Sequence, residues 1–378
     1  MSKKLLFITS NTSTPWGGSE VLWYKTSLEF LRSGNKVGIC IKNWNPLPEH
    51  LIELINNGAE VIFIGGNFKP SVTLRFNRKF FGKDILPPYL KSMKDFQADL
   101  VVISQGGNSD GLKWMEWSLK NKLPFVTISQ AVSESNWPSD ETALRMSDCF
   151  KSARRNYFVC RANLKTTENQ LALNLTNNSK VIFNPFNISY DTSYEYPSSN
   201  EYYYLANVAR FDFKAKGQDV LCEVMSQQKW RDRNLTIRLY GSGSDQKSLE
   251  RLISFYQVEN QIIFMGYESP EVIWKNNHGL ILSSRYEGLP LSLVEAMLAK
   301  RFSIVTNVSG NTEVIDDNIT GFIAEAPKPE YLDKAMERAW ERRHDWENMG
   351  KKAGFEIRKI IPKDPIAYFN QDLSSVLK

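Results

Sequence analysis

Two carboxylates and two cations hold the chemistry that this sequence allows. Glu287 and Glu295 are separated by seven residues in the stretch Leu280–Met297, and Arg210 and Lys216 lie within Asn207–Gly217. An Arg and a Lys together can clamp a pyrophosphate, Arg as a planar fork and Lys as a point charge. A carboxylate beside such an anion is repelled unless it accepts hydrogen bonds from neutral donors. A vicinal diol is such a donor pair, so Glu295 is assigned to a ribose. Glu287 then faces the hydroxyls of a sugar beyond the phosphates. Glu295 falls more than a turn inside its helix, where the macrodipole does not account for a carboxylate.

The elements that must position these groups are legible around them. Gly279–Leu282 reads as a short apolar strand, broken at Ser283-Ser284. Pro290 suits the first position of the helix that follows, and Gly288 lets backbone approach closely. Strand, tight turn and open helix N-terminus build an anion site at the carboxyl edge of a parallel sheet. The other strand ends near Ala209, so Arg210 leaves its carboxyl end and Lys216 sits where the next helix begins, on the same edge.

That pattern repeats along the chain. Strand candidates are Leu5–Thr9, Lys36–Ile41, Glu60–Ile64, Leu100–Ser104, Pro124–Ser129, Asn156–Cys160 and Val181–Phe183, with helical periodicity between them. Alternation lapses from Asn184 to Asn200 and restarts with Tyr202–Ala209, Leu235–Tyr240, Gln261–Met265, Gly279–Leu282 and Ser303–Thr306. Strands alternating with helices predict an α/β protein with two doubly wound parallel-sheet domains. The expected divisions are 1–188, a linker at 189–200, 201–361, and a separate amphipathic segment at 362–378. A length of 378 residues suits two such domains.

Composition narrows the class. The apolar share is 42% and the charged share 24%, as in soluble globular proteins, and no run of eighteen apolar residues occurs. Met1–Thr9 reads as a first buried strand, its apolar run being too short for a signal peptide. Cys40, Cys149, Cys160 and Cys222 show no C-x-x-C spacing and read as reduced core thiols of a cytoplasmic protein. His50, His278 and His344 form no ligand pattern, and no Asp-x-Asp metal motif occurs, so no metal or cofactor is expected. Between Phe68 and Lys94 seven basic residues face one acidic residue, a window of +6 in a chain of +5, interleaved with Phe76, Phe80, Phe81 and Tyr89. It fits a solvated face with inward rings, or peripheral contact with an anionic inner membrane surface or lipid-linked acceptor. Nucleic acid is the least favoured partner.

The stretch Glu287-Gly-Leu-Pro-Leu-Ser-Leu-Val-Glu295 resembles the Glu-x7-Glu motif of glycosyltransferase family 4. These are retaining, nucleotide-sugar-dependent enzymes with the two-domain GT-B fold. The resemblance extends through Arg210…Lys216-Gly217, Gly241-Ser-Gly243, Phe264-Met-Gly266-Tyr267, Ser309-Gly-Asn-Thr-Glu313, Asn184-Pro185 and Pro15-Trp-Gly17-Gly18-Ser-Glu20. It implies that Arg210 and Lys216 hold the donor diphosphate and Glu295 the ribose. Glu287, with backbone donors around Gly288, Leu289, Pro290 and Leu291, holds the sugar and phosphate; Pro290 itself has no N–H. Residues near Gly266 and Tyr267 bracket the base through backbone contacts, and Gly17 and Gly18 approach the phosphate from the first domain. It also implies a UDP- or GDP-sugar donor, a saccharide or lipid-linked acceptor in polysaccharide or glycoconjugate synthesis, retention without a dedicated base or metal, and a C-terminal segment crossing back to the first domain.

The chain departs from that pattern at Gln130, where the family often carries a His close to the sugar, and at Lys300 and Ser309, where Gly is common. Gln130 can still reach a sugar hydroxyl, but it also raises a rival reading, a glycosyltransferase-like nucleotide-binding or scaffold subunit without turnover. A nicotinamide-dependent oxidoreductase is disfavoured because no G-x-G-x-x-G follows Thr9.

Overall fold

The computed structural model describes residues 2–12, 14–65, 87–198 and 201–377. Most of the basic window, 66–86, lies outside the described residues. The helix that closes the window, Pro88–Asp95, carries Lys91 and Lys94.

Short apolar runs supply the strands. Among the described residues, seven form the first sheet: β1 (Lys4–Thr9), β2 (Lys36–Lys42), β3 (Glu60–Ile64), β4 (Leu100–Gln105), β5 (Phe125–Ser129), β6 (Arg155–Phe158) and β7 (Ser179–Val181), in the order β3-β2-β1-β4-β5-β6-β7. Six form the second: β8 (Tyr203–Val208), β9 (Leu235–Tyr240), β10 (Ile262–Gly266), β11 (Gly279–Leu282), β12 (Phe302–Thr306) and β13 (Gly321–Ala324), in the order β10-β9-β8-β11-β12-β13. All pairings between these strands are parallel. The protein is thus two parallel-sheet α/β domains in tandem.

Parallel sheets are covered on both faces, which is why their strands read as near-continuous apolar runs. The alternation of side chains then sorts neighbours into different cores. Leu5 and Phe7 of β1 join one cluster, Leu6 and Ile8 the other. In β11, Ile281 faces one cluster and Leu280 and Leu282 the other. The strand expected at Val181–Phe183 begins and ends two residues earlier. Pairing of Asn156 with Ser179 sets its register, and the chain turns away towards Asn184-Pro185 after Val181.

The last helix, Pro365–Val376, lies on the first domain. Asp364 caps it, accepting from Ile366 N at 3.0 Å and Ala367 N at 2.9 Å. Ile366, Phe369, Leu373 and Leu377 complete the core around Leu5, Phe7 and Tyr157. Asp372 ties the helix down, accepting from Tyr157 Oη and Lys180 Nζ, each at 2.8 Å.

Candidate active site

In each sheet the strand order reverses beside its first strand, at β1/β4 and at β8/β11. Open α/β sheets bind ligands in the crevice outside such a switch point. The two crevices share one cavity of about 880 Å³. The first domain lines it with Gly17, Gly18, Ser19, Glu20, Lys42, Gln105–Asp110 and Lys113, the second with Arg210, Ala215, Lys216, Tyr286 and Glu287.

The second-domain wall is two interlocked turns. Asp212 caps the one-turn helix Phe213–Lys216 through Ala215 N at 3.2 Å, and Gly217 ends it at φ +62°. A Cβ on Gly217 would stand 2.2 Å from Ser283 O, so a residue without a side chain is needed where the turns meet. Arg285 N donates to Ala215 O at 2.8 Å, and Ser283 Oγ to Lys216 O at 3.1 Å. Arg285 also makes a two-pronged pair with Asp219, both contacts at 2.7 Å. These bonds fix Lys216 opposite Glu287. Lys216 Nζ stands 2.7 Å from both carboxylate oxygens of Glu287, and Ser284 Oγ donates to Oε1 at 2.7 Å. Arg210 is half exposed and pairs with Asp212 at 3.1 Å.

Beside the cavity the domains meet backbone to backbone. A Cβ on Gly288 would stand 2.1 Å from Gln130 O, and one on Gly18 would stand 3.1 Å from Leu291 Cδ1. Glu313 of the second domain accepts from Ala162 N at 2.7 Å and Arg161 N at 3.0 Å, the first N–H groups of the helix Arg161–Leu171. A carboxylate there satisfies orphan donors and meets the positive end of the helix dipole.

Five of the residues named from sequence therefore share the cavity: Gly17, Gly18, Arg210, Lys216 and Glu287. Gly288, Leu289, Pro290 and Leu291 are not among its lining residues, because the first domain covers this turn. Pro290 is also one place earlier than expected: it is the cap, and the helix runs Leu291–Leu298. Its missing N–H is as harmless there, since it is the Pro290 carbonyl that accepts, from Leu293 N at 3.1 Å.

Glu295 does not line the cavity. It is 4% exposed, and the N and Nδ2 of Asn187 donate to its Oε1 at 2.9 and 3.0 Å. Burial pushes its carboxyl up to about 7, and the Asn187 bonds pull the other way. Gln130 likewise spends its amide within the protein, accepting from Asn184 Nδ2 at 2.6 Å and donating to Ser19 O at 3.4 Å. Tyr267 is 92% exposed after β10 and is not a cavity residue.

Four charged cavity residues were given no role from the sequence: Lys42, Lys113, Glu20 and Asp110, the last accepting from Gly107 N at 2.7 Å. Lys42 ends β2, with its Nζ 4.1 Å from the Trp44 ring centroid and 2.8 Å from Thr12 O. Lys113 lies 4.6 Å over the Trp114 ring. Glu20, 2% exposed, accepts from Ser19 Oγ at 2.6 Å, and burial raises its carboxyl. Their signal was position: each lies at or beyond the carboxyl end of β1 or β4, the strands at the switch point, or of β2 beside them. Among the described residues no group of three or more His, Cys, Asp or Glu is placed to hold a metal ion. No described helix is long and apolar enough to cross a membrane.

Comparison with known proteins agrees with this architecture. The chain is 28% identical over 109 residues to a poly(ribitol-phosphate) alpha-N-acetylglucosaminyltransferase of Staphylococcus aureus, covering 28% of this chain and 22% of that protein. It is 26% identical over 126 residues to an alpha-D-kanosaminyltransferase of Streptomyces kanamyceticus, covering 32% and 33%. The matched stretches thus span a third or less of these two relatives. Among solved structures, HepE of Anabaena in complex with UDP superposes with a TM-score of 0.75 at 16% identity, over 99% of both chains. Sucrose-phosphate synthase of Thermosynechococcus elongatus superposes with 0.74 at 15% identity, over 100% of this chain and 99% of that one. The fold is that of the GT-B glycosyltransferases, and residues 192–354, most of the second domain, match the family described as Glycosyl transferases group 1.

Proposed function

We propose that the protein is a glycosyltransferase of the family 4 type, moving a sugar from a UDP- or GDP-linked donor to a saccharide or lipid-linked acceptor with retention of configuration. The observation that carries this reading is the Lys216–Glu287 pair, contacts of 2.7 Å, on the cavity wall with Arg210 beside it on the same sheet edge. A departing nucleoside diphosphate is the charge that such an edge meets, and fixed cations there lower the barrier by stabilising it. When the diphosphate takes Lys216 Nζ, Glu287 is released to accept from hydroxyls of the transferred sugar. Attack on the face of departure, with the leaving phosphate taking the acceptor proton, calls for no separate base. The cations meet the phosphate charge, so transfer proceeds without a metal.

Asn187 occupies only Oε1 of Glu295, which leaves Oε2 to accept from the ribose diol once domain opening uncovers this buried carboxyl. The turn Gly288–Leu291 becomes available to the donor when the first domain draws back from Gly288. UDP, GDP and ADP in thermal-shift titrations identify the nucleotide, since a ligand of the folded state raises the midpoint. Incubation with the matching nucleotide-sugars, followed by nucleotide release and mass spectrometry, tests turnover. Binding of a nucleotide with neither hydrolysis nor transfer from any UDP- or GDP-sugar would favour the scaffold subunit.

A further inference from the structure

A second cavity, of about 630 Å³, opens at the amino edge of the second sheet, remote from the strand ends that build the cleft. Four elements wall it: the strap Ser193–Ser198, Tyr203 at the start of β8, the turn Lys300-Arg301 before β12, and the start of the helix Trp346–Ile360 with the residues just before it. Its charged lining is Lys300, Arg301, Arg343 and Lys351 against Glu195 and Glu347, two positive charges in excess, with His344 beside them.

The way these cations are held is unusual. Arg301 is 1% exposed and makes no salt bridge among the described residues, although the more distant Glu347 carboxylate still acts on its charge. Its guanidinium donates only to backbone carbonyls: Trp274 O at 2.9 Å, Asn277 O at 3.1 Å, Ala299 O at 2.9 Å and Glu195 O at 2.7 Å. The Tyr196 ring covers it at 5.1 Å. Burial lowers it to about 10. Lys300 Nζ donates to Ser193 Oγ at 3.2 Å, and Arg343 Nη1 to Trp340 O at 3.1 Å. Among the described residues, Lys351 alone of the four makes a salt bridge, with Glu347 at 2.7 Å. A buried cation with no carboxylate in contact is costly, and neutral carbonyls satisfy its hydrogen bonds without cancelling its charge, which Glu347 offsets only from a distance.

We propose that this cavity is an anion-binding site for a small molecule bearing phosphate or carboxylate groups, with Lys300 and Arg343 contacting the ligand and Arg301 supplying a fixed field beneath it. Guanidinium and ammonium groups with no carboxylate to displace bind such oxygens directly. The site stands apart from the donor cleft and does not depend on its assignment. Lys300 follows the helix Leu291–Leu298, whose other end meets Gly18 at the domain seam.

The test uses the full chain carrying Arg210→Ala and Lys216→Ala, which removes the second domain's cations from the cleft, with tripolyphosphate and citrate as probes and glucose as the uncharged control. Calorimetry in low salt is expected to show binding of at least one anion, weakening as salt rises, and none of glucose. Adding Lys300→Ala and Arg343→Ala, both at partly exposed sites, should weaken that binding at least tenfold while thermal midpoints confirm folding. Preference for tripolyphosphate identifies a phosphorylated ligand, and preference for citrate a carboxylate. Absence of binding by both anions overturns the proposal, as does equal affinity once Lys300→Ala and Arg343→Ala are added. A charge-reversed Arg343→Glu, expected to abolish binding, keeps the test decisive if that variant does not fold.

Discussion

The two edges of the second sheet hold their cations in opposite ways. At the carboxyl edge Arg210, Lys216 and Arg285 are each tied to a carboxylate, Asp212, Glu287 and Asp219. At the amino edge Lys300, Arg301 and Arg343 rest on a hydroxyl and on backbone carbonyls. A cation paired with a carboxylate is positioned but neutralised, and it becomes useful to an anion only by exchanging partners. A cation on neutral oxygens keeps most of its field. The first arrangement suits a group whose charge is needed at one moment of a reaction, the second a site that attracts ligand continuously.

The comparison can be broken or sharpened by substitution, beginning with its one exception. Glu295 sits in the helix after the carboxyl-edge turn but has no cation, and burial holds its carboxyl at about 7 against 4.5 for the free group. A raised acid stabilises the fold fully below its unfolded value, and that contribution is lost as pH rises through the folded value. Stability should therefore fall between about pH 4.5 and 7 by on the order of 3 kcal/mol from this group alone. Glu295→Gln keeps an acceptor for Asn187 and should flatten that loss, making it more stable than the parent at pH 8. Denaturant titrations of both proteins at pH 5 and pH 8 decide the matter; parallel changes would refute the assignment.

Lys216→Ala should weaken nucleoside diphosphate binding by about 1.5–3 kcal/mol, the scale of a hydrogen bond to a charged group. Unchanged calorimetric affinity for UDP and GDP would remove the diphosphate from this wall. Glu287→Gln should act in the opposite direction. Freed from its carboxylate, Lys216 should bind the diphosphate more tightly by about 1 kcal/mol, while sugar transfer falls because a hydroxyl acceptor is lost. Weaker nucleotide binding in this variant would show that Glu287 chiefly orients Lys216. Smallest of all is Arg343→Ala, expected to change stability by no more than about 0.5 kcal/mol, and in the stabilising direction at low salt, since it relieves an excess of like charge. A clear loss of stability would mean that the amino-edge cations are compensated after all.

Much of the architecture was legible because it is written locally. The strands Leu5–Thr9 and Gly279–Leu282 are apolar runs bounded by turn residues, and Gly217 and Gly288 mark places where backbone must pass backbone. Partnerships were not legible, since they join distant segments. Lys216 meets Glu287 across 71 residues, Asn187 meets Glu295 across 108, and Ala162 meets Glu313 across 151. Reading Glu287 and Lys216 as independent contacts to sugar and phosphate left out their contact with each other. Gln130 shows the same limit: its amide was available in the sequence, yet Asn184 and Ser19 engage it in the fold. Lys300 was noticed only as a departure at a helix end, because nothing local reveals that Arg301 beside it rests on backbone carbonyls with no carboxylate in contact.

The helix Pro365–Val376 has a consequence for how the chain is made. It covers the core face formed by Leu5, Phe7 and Tyr157, so the first domain cannot finish folding when its own sheet has been synthesised. Between Val181, the end of β7, and Leu377, the ribosome must add the whole second domain, which takes roughly 10 to 40 seconds at about 5–20 residues per second. During that interval the first domain waits with an apolar face uncovered while the later domain completes itself. The domain that starts first is the one that finishes last, and a nascent chain stalled before Pro365 would present that face to chaperones.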